Sequence, residues 1–312
     1  MGGNALKNTV ISRMSLEDYN IIKEELRKVL SDHMEIEFLY DVPNKSDFGD
    51  IDILVNYGLD LTKLVKELFS PKEMYKNGNV LSFAYLYNAH YYQIDLINTR
   101  NFDSYKFYFS YGDLGNILGK IVKAYDLHFG IQGLFIEYSG KQVILSTDKK
   151  AICDYLGLDV SKWGAFNTVE EIFDWIISSR VFNKNVFGNL NQKDRRHVVN
   201  RKMYQDFVKY IEGVDLHNNN IITLKNDAIV HFDKQCELDI IDKQLAILEQ
   251  RREKFNASLF IEYGYSMKEL GDVIKKFKSQ FESGSFEEWL DNNTKEYIHE
   301  YVSRYLQNKN CL

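Results

Sequence analysis

Between Lys45 and Val55 the chain reads Lys-Ser-Asp-Phe-Gly-Asp-Ile-Asp-Ile-Leu-Val, and this stretch constrains the fold more than any other. The run of branched apolar residues Ile51, Ile53, Leu54 and Val55 predicts a buried strand. Asp50 and Asp52 stand two apart within it, so both side chains leave the same face. Carboxylates held that close repel unless a cation lies between them. Ligands that are all oxygen favour a hard divalent ion such as magnesium. A second strand is predicted over 90–97, aromatic and branched, with Asp95 at its centre. A lone acid is costly to bury in an apolar strand. If the two strands are neighbours, Asp95 faces the Asp50/Asp52 pair, and three such carboxylates can hold two metal ions. An EF-hand is excluded, because the loop after Asp47 lacks the alternating oxygen ligands, the central glycine and the closing glutamate.

Gly-Asp-Ile-Asp-Ile-Leu-Val followed by Gln-Ile-Asp-Leu-Ile resembles the nucleotidyltransferase superfamily of the DNA polymerase beta type, which includes poly(A) polymerases and CCA-adding enzymes. The resemblance implies a small mixed sheet carrying helices, and two magnesium ions held by three acids. Asp50 and Asp52 match the paired ligands and Asp95 the third acid. The superfamily also has a Gly-Gly or Gly-Ser element that holds a nucleotide triphosphate. Gly2-Gly3 is the candidate here, although it stands at the start of the chain with no strand before it and a whole helix between it and Asp50. The Met-Gly-Gly start, Arg13 in Ile-Ser-Arg-Met, and Ser-Tyr-Gly-Asp-Leu-Gly-Asn over 110–116 narrow the likeness. With the acidic strand they resemble a group of nucleotidyltransferase-like proteins of fungi, bacteriophages and large viruses. That resemblance implies a fold rather than a substrate, with Gly2, Gly3 and Arg13 as nucleotide-contacting positions.

The chain has 312 residues, which suggests two domains of roughly 100–200 residues each. We expect an α+β protein: a nucleotidyltransferase core over 1–105, a middle region of helix and hairpin over 106–225, and a helical C-terminal region over 226–312. Ser15 with Asp18 predicts a capped helix to about Leu30, with Ile21, Ile22, Leu26, Val29 and Leu30 on its apolar face. Strand 35–39, helix 61–69 capped by Asp60, and a hairpin turning at Asn88-Ala89 complete the expected core. A helix is predicted over 111–125, where Gly115 and Gly119 share a face and suit close packing better than phosphate binding. A hairpin at Ser139-Gly140 and helices over 148–156 and 168–177 follow, the last opened by a Thr168–Glu171 capping box. Further helices are predicted over 238–255, 267–281 and 286–306, the first with Leu238, Ile241, Leu245 and Leu248 at helical spacing.

No run of about 18 apolar residues is present, so no membrane span is expected. Three cysteines without paired spacing fit a reducing compartment such as the cytoplasm and give no zinc site. A net charge of −6 argues against nucleic-acid binding by the whole surface. It leaves room for a local patch. Between Lys184 and Lys209 cations outnumber acids, and Arg195, Arg196, Arg201 and Lys202 stand near Tyr204, Phe207 and Tyr210. Cations beside aromatics suit a polyanion such as RNA or a nucleotide triphosphate. A solvated helix face pairing with acidic C-terminal helices explains the same residues. The favoured function is metal-dependent transfer of a nucleoside monophosphate to an acceptor hydroxyl, with an RNA 3′ end implied as acceptor by the resemblance alone. The alternatives are a protein or small-molecule acceptor, or an inactive nucleotide-binding regulatory protein.

Overall fold

A computed structural model of the chain describes residues 3–58, 60–188, 201–214, 224–282 and 284–309. It divides into two compact units, Met1–Asp233 and Lys234–Leu312. The expected core and middle region therefore lie together in the first. Both helices and a mixed sheet are present, as an α+β protein requires. Among the described residues no helix is long and apolar enough to cross a membrane.

In the first unit the elements begin β1 (Met14–Ser15), α1 (Leu16–Ser31), β2 (Glu35–Phe38), β3 (Asp47–Phe48), β4 (Asp50–Asn56) and α2 (Leu61–Phe69). Next come β5 (Met74–Asn77), β6 (Val80–Tyr87), β7 (His90–Asn98), α3 (Phe102–Phe109) and α4 (Leu114–Lys123). Five strands form a sheet in the order β2-β4-β7-β6-β5, in which β4 and β7 run parallel and the other pairs antiparallel. Alternation along β4 and β7 decides what each face holds. Ile51, Ile53, Val55, Ile94 and Leu96 point to one side and join Ile22, Leu26 and Leu30 of α1 in a core shut off from solvent. The opposite face of the same strands carries the acids.

Helix starts follow the expected caps. The Ser15 hydroxyl accepts from the Asp18 amide, and Asp60 accepts from Thr62 and Lys63. On α1 the buried stripe is narrower than expected. Ile21 and Val29 are more than a third exposed, while Tyr19 is buried instead and stacks on Phe48 with ring centres 3.8 Å apart. The β6–β7 hairpin turns at Asn88 and Ala89, both with positive φ, as the right-handed twist of a two-residue turn demands. The helix expected from Tyr111 starts only at Leu114, because Tyr111 and Gly112 both hold left-handed backbone and the Tyr111 amide donates to the Tyr40 carbonyl.

The unit continues with an antiparallel sheet of β8 (His128–Gly130), β9 (Gly133–Tyr138) and β10 (Lys141–Ser146). Then come α5 (Lys149–Leu156), α6 (Val169–Ile177), α7 (Asn185–Gly188), α8 (Lys202–Glu212) and α9 (Leu224–His231). The second unit is helical: α10 (Gln235–Lys254), α11 (Ser258–Ile261), α12 (Leu270–Lys278), α13 (Ser285–Asn292) and α14 (Lys295–Lys309). Its core gathers Phe260, Phe277, Ile298, Val302 and Leu306, all almost fully buried. Two expectations are corrected here. Leu248 on α10 is 44% exposed rather than buried. The single helix expected over 286–306 is two helices, because Asn293 leaves helical backbone at φ −120° and ψ 151°.

Candidate functional site

Asp50 and Asp52 open β4, just after Gly49, and Asp95 sits in the middle of β7. The parallel register sets Asp52 opposite Asp95 and Asp50 opposite Gln93. All four side chains therefore leave the sheet on the face away from the α1 core. On the far side of β7 the register puts Ser82 beside Asp95. Asp50, Asp52 and Asp95 each offer one carboxylate oxygen, and those oxygens lie within 4.8 Å of one another. The three residues are half-buried.

The electrostatics follow from that crowding. Burial pushes the Asp52 carboxyl well above the usual carboxylate range, and the charges of Asp50 and Asp95 push the same way, while the Lys45 cation opposes them. Asp95 is pushed up to about 6, first by burial and then by Asp50, against the hydrogen bonds from Ser82 and Gln93 that hold it down. Acids that resist ionisation when crowded are what a divalent cation relieves. An all-oxygen donor set of this span fits magnesium, whose ligands stand at about 2.1 Å.

A network of amides surrounds the triad. Gln93 is 2% exposed, and its Nε2 lies 3.0 Å from each Asp95 oxygen. Its Oε1 accepts from the Ala5 amide at 2.9 Å. The Gly3 amide donates to Asp50 Oδ2, also at 2.9 Å. The Gly3 amide is thus spent on a carboxylate and not presented to a phosphate, and Gly2 lies outside the described residues.

Asp50 also borders a cavity of about 700 Å³, lined among others by Arg13, Lys45, Asp47, Gly49, Lys202 and Asp206. Three cations therefore share a wall with one acid of the triad. Pairing of β1 with β3 sets Ser15 opposite Asp47, which brings Arg13 beside the strand that leads into Gly49. The Arg13 Nε donates to both Asp47 oxygens, at 2.7 and 2.6 Å. Lys45 stands over the Phe48 ring, 4.5 Å from its centre. Lys202 pairs with Asp206 one turn along α8, yet remains largely exposed.

Among the described residues the basic stretch does not form one open patch. Arg195 and Arg196 lie outside the described residues. Arg201 donates to Asp113 at 2.6 Å, an acid only 15% exposed at the start of α4. The described partners of Arg201 and Lys202 are thus acids of their own unit, not of the C-terminal helices. Tyr204 and Phe207 are buried and cannot stack on a base from there, and the Tyr210 hydroxyl donates to Asp174. The residues that sequence reasoning passed over are Gln93, Ser82 and Lys45. Gln93 carried a signal, because it stands two residues before Asp95 on an otherwise apolar strand and so shares its face. No family model and no curated protein sequence matches this chain.

Proposed function

We propose that the protein is a metal-dependent nucleotidyltransferase that moves a nucleoside monophosphate from a nucleotide triphosphate to an acceptor hydroxyl. The observation that carries this reading is the register Asp52–Asp95 on two parallel strands, which with Asp50 brings three carboxylate oxygens within 4.8 Å beside a cation-lined cavity. The mixed five-stranded sheet with helices on the opposite face from the acids agrees with a nucleotidyltransferase fold.

Asp50, Asp52 and Asp95 would hold two magnesium ions, which when bound supply neutralising charge at the reacting phosphate. The acceptor oxygen attacks the α-phosphorus, the bond to the bridging oxygen breaks, and pyrophosphate leaves. Asp95 orients the acceptor hydroxyl or takes its proton. Arg13 and Lys45 face the triphosphate charge, and Asp47 fixes the Arg13 guanidinium so that little side-chain freedom is lost on binding. Catalysis by such a site comes mainly from positioning and charge stabilisation. Lys202, on the same cavity wall, is the described cation best placed to meet an acceptor. An RNA 3′ end is the acceptor we propose to try first.

The test is incorporation of α-labelled nucleotide, with each of the four triphosphates in turn, into RNA and protein acceptors at saturating magnesium. We expect transfer that Asp52→Asn lowers by at least about a thousandfold while the circular dichroism spectrum is kept. Full activity in Asp52→Asn would sink the reading.

A further inference from the structure

The N-terminal segment runs against the acid face, and its amides are not spent at random. The backbone here is a turn and not a strand, with Gly3 at φ +83°. It brings the Gly3 and Ala5 amides, two residues apart, to the same face of the sheet. The Gly3 amide donates to Asp50 and the Ala5 amide to Gln93, whose own amide group contacts both oxygens of Asp95. Two of the three carboxylates are therefore held, one directly and one through a single side chain, by one short stretch of backbone.

The approach is close. Gly3 has φ +83°, and a Cβ there would stand 2.4 Å from the Gly49 carbonyl oxygen. Only a glycine lets the segment pass over the residue that precedes Asp50. Gln93 is equally constrained. A primary amide buried to 2% exposure is costly unless both ends are paired. Because its oxygen accepts from Ala5, its NH2 must be the end that meets Asp95, which fixes the amide's orientation.

We propose that Gly3, Ala5 and Gln93 form a positioning arm that holds Asp50 and Asp95 in the orientation a divalent cation needs. This inference rests on the metal-site reading given under Proposed function. None of the three touches a reacting atom, so they are positioning residues. Their contribution is the one made by partners that orient metal ligands, whose loss commonly lowers metal affinity by about 10–100-fold.

The experiment uses the full chain and Mn2+ alone, with free Mn2+ read by electron paramagnetic resonance and no nucleotide present. Gln93→Leu removes both ends of the bridge, and Ala5→Pro removes only the N-terminal donor. In folded variants, checked by circular dichroism, both should raise the Mn2+ dissociation constant, Gln93→Leu by about tenfold or more. Affinities within about twofold of the parent in both would overturn the arm. A loss in Gln93→Leu with Ala5→Pro unchanged would overturn the part given to the N-terminal segment. Should Gln93→Leu fail to fold, Ala5→Pro decides alone. A parent that binds no Mn2+ overturns the metal-site reading and this inference together, whereas a binding parent with unaltered variants overturns this inference only.

Discussion

Asp52 and Asp95 carry the electrostatic cost of the site when no cation is supplied. Both are pushed above their usual range by burial and by neighbouring carboxylates, Asp95 to about 6. In the unfolded chain each titrates near 3.9. Between those values the folded state holds more protons than the unfolded one, so stability falls as pH rises. In a chelator, stability should thus decline from about pH 4 to about pH 6 and stay low above it as far as Asp95 is concerned. The gap for Asp95 corresponds to about 3 kcal/mol. Asp95→Asn should recover a large part of that at about pH 7.5 and change little at about pH 4. Urea unfolding in EDTA across this range measures it, and a variant no more stable than its parent at the higher pH would refute the crowded-acid picture. If Asp95 ligates magnesium as proposed, saturating magnesium should reverse the order.

Elements were legible where a local rule set them. The Asp50-x-Asp52 strand, the Asn88-Ala89 turn and the Ser15 and Asp60 caps follow from spacing and backbone chemistry within a few residues. What escaped was non-local. β1 and β3 are two residues each and exist only through their pairing with one another. The contacts of Gly3 and Ala5 span 47 and 88 positions along the chain, so no local pattern announces them. The sequence leaves the aromatics of α8 open between a polyanion surface and a solvated face, because a patch count cannot tell a ring turned to solvent from one filling a core, as Tyr204 and Phe207 do. The Gly115/Gly119 face of α4 is the opposite case, since four-residue spacing already pointed to close packing. A Cβ at Gly115 would meet the Tyr108 carbonyl oxygen at 2.2 Å, and one at Gly119 the Phe129 oxygen at 3.3 Å. Alanine is the better helix former by about 1 kcal/mol. Gly115→Ala should nonetheless destabilise, by about 2 kcal/mol or more, because the obstacle is backbone. Gly119→Ala should cost less than Gly115→Ala. Thermal unfolding of the pair checks the ranking, and a Gly115→Ala protein as stable as its parent would contradict the packing of α4 on α3.

At the scale of the whole molecule, the division at Asp233 separates two sources of stability. The first unit holds the acid triad, whose crowding opposes ionisation. The second holds an aromatic and aliphatic core around Phe277. A ligand stabilises the state that binds it and nothing else. Magnesium at about ten times its dissociation constant should therefore stabilise the first unit by about 1.4 kcal/mol. Amide hydrogen exchange resolves the two. Protection along β4, β7 and α1 should rise with magnesium, because exchange from those core elements needs the unit to open. Protection over α12–α14 should stay where it was. Calcium, larger and less demanding of octahedral geometry, is a second ion to try in the same measurement. If protection rose equally in both units, they would unfold as one, and the division would be geometric only. If it rose in neither, the carboxylates would not be a metal site at the concentrations used.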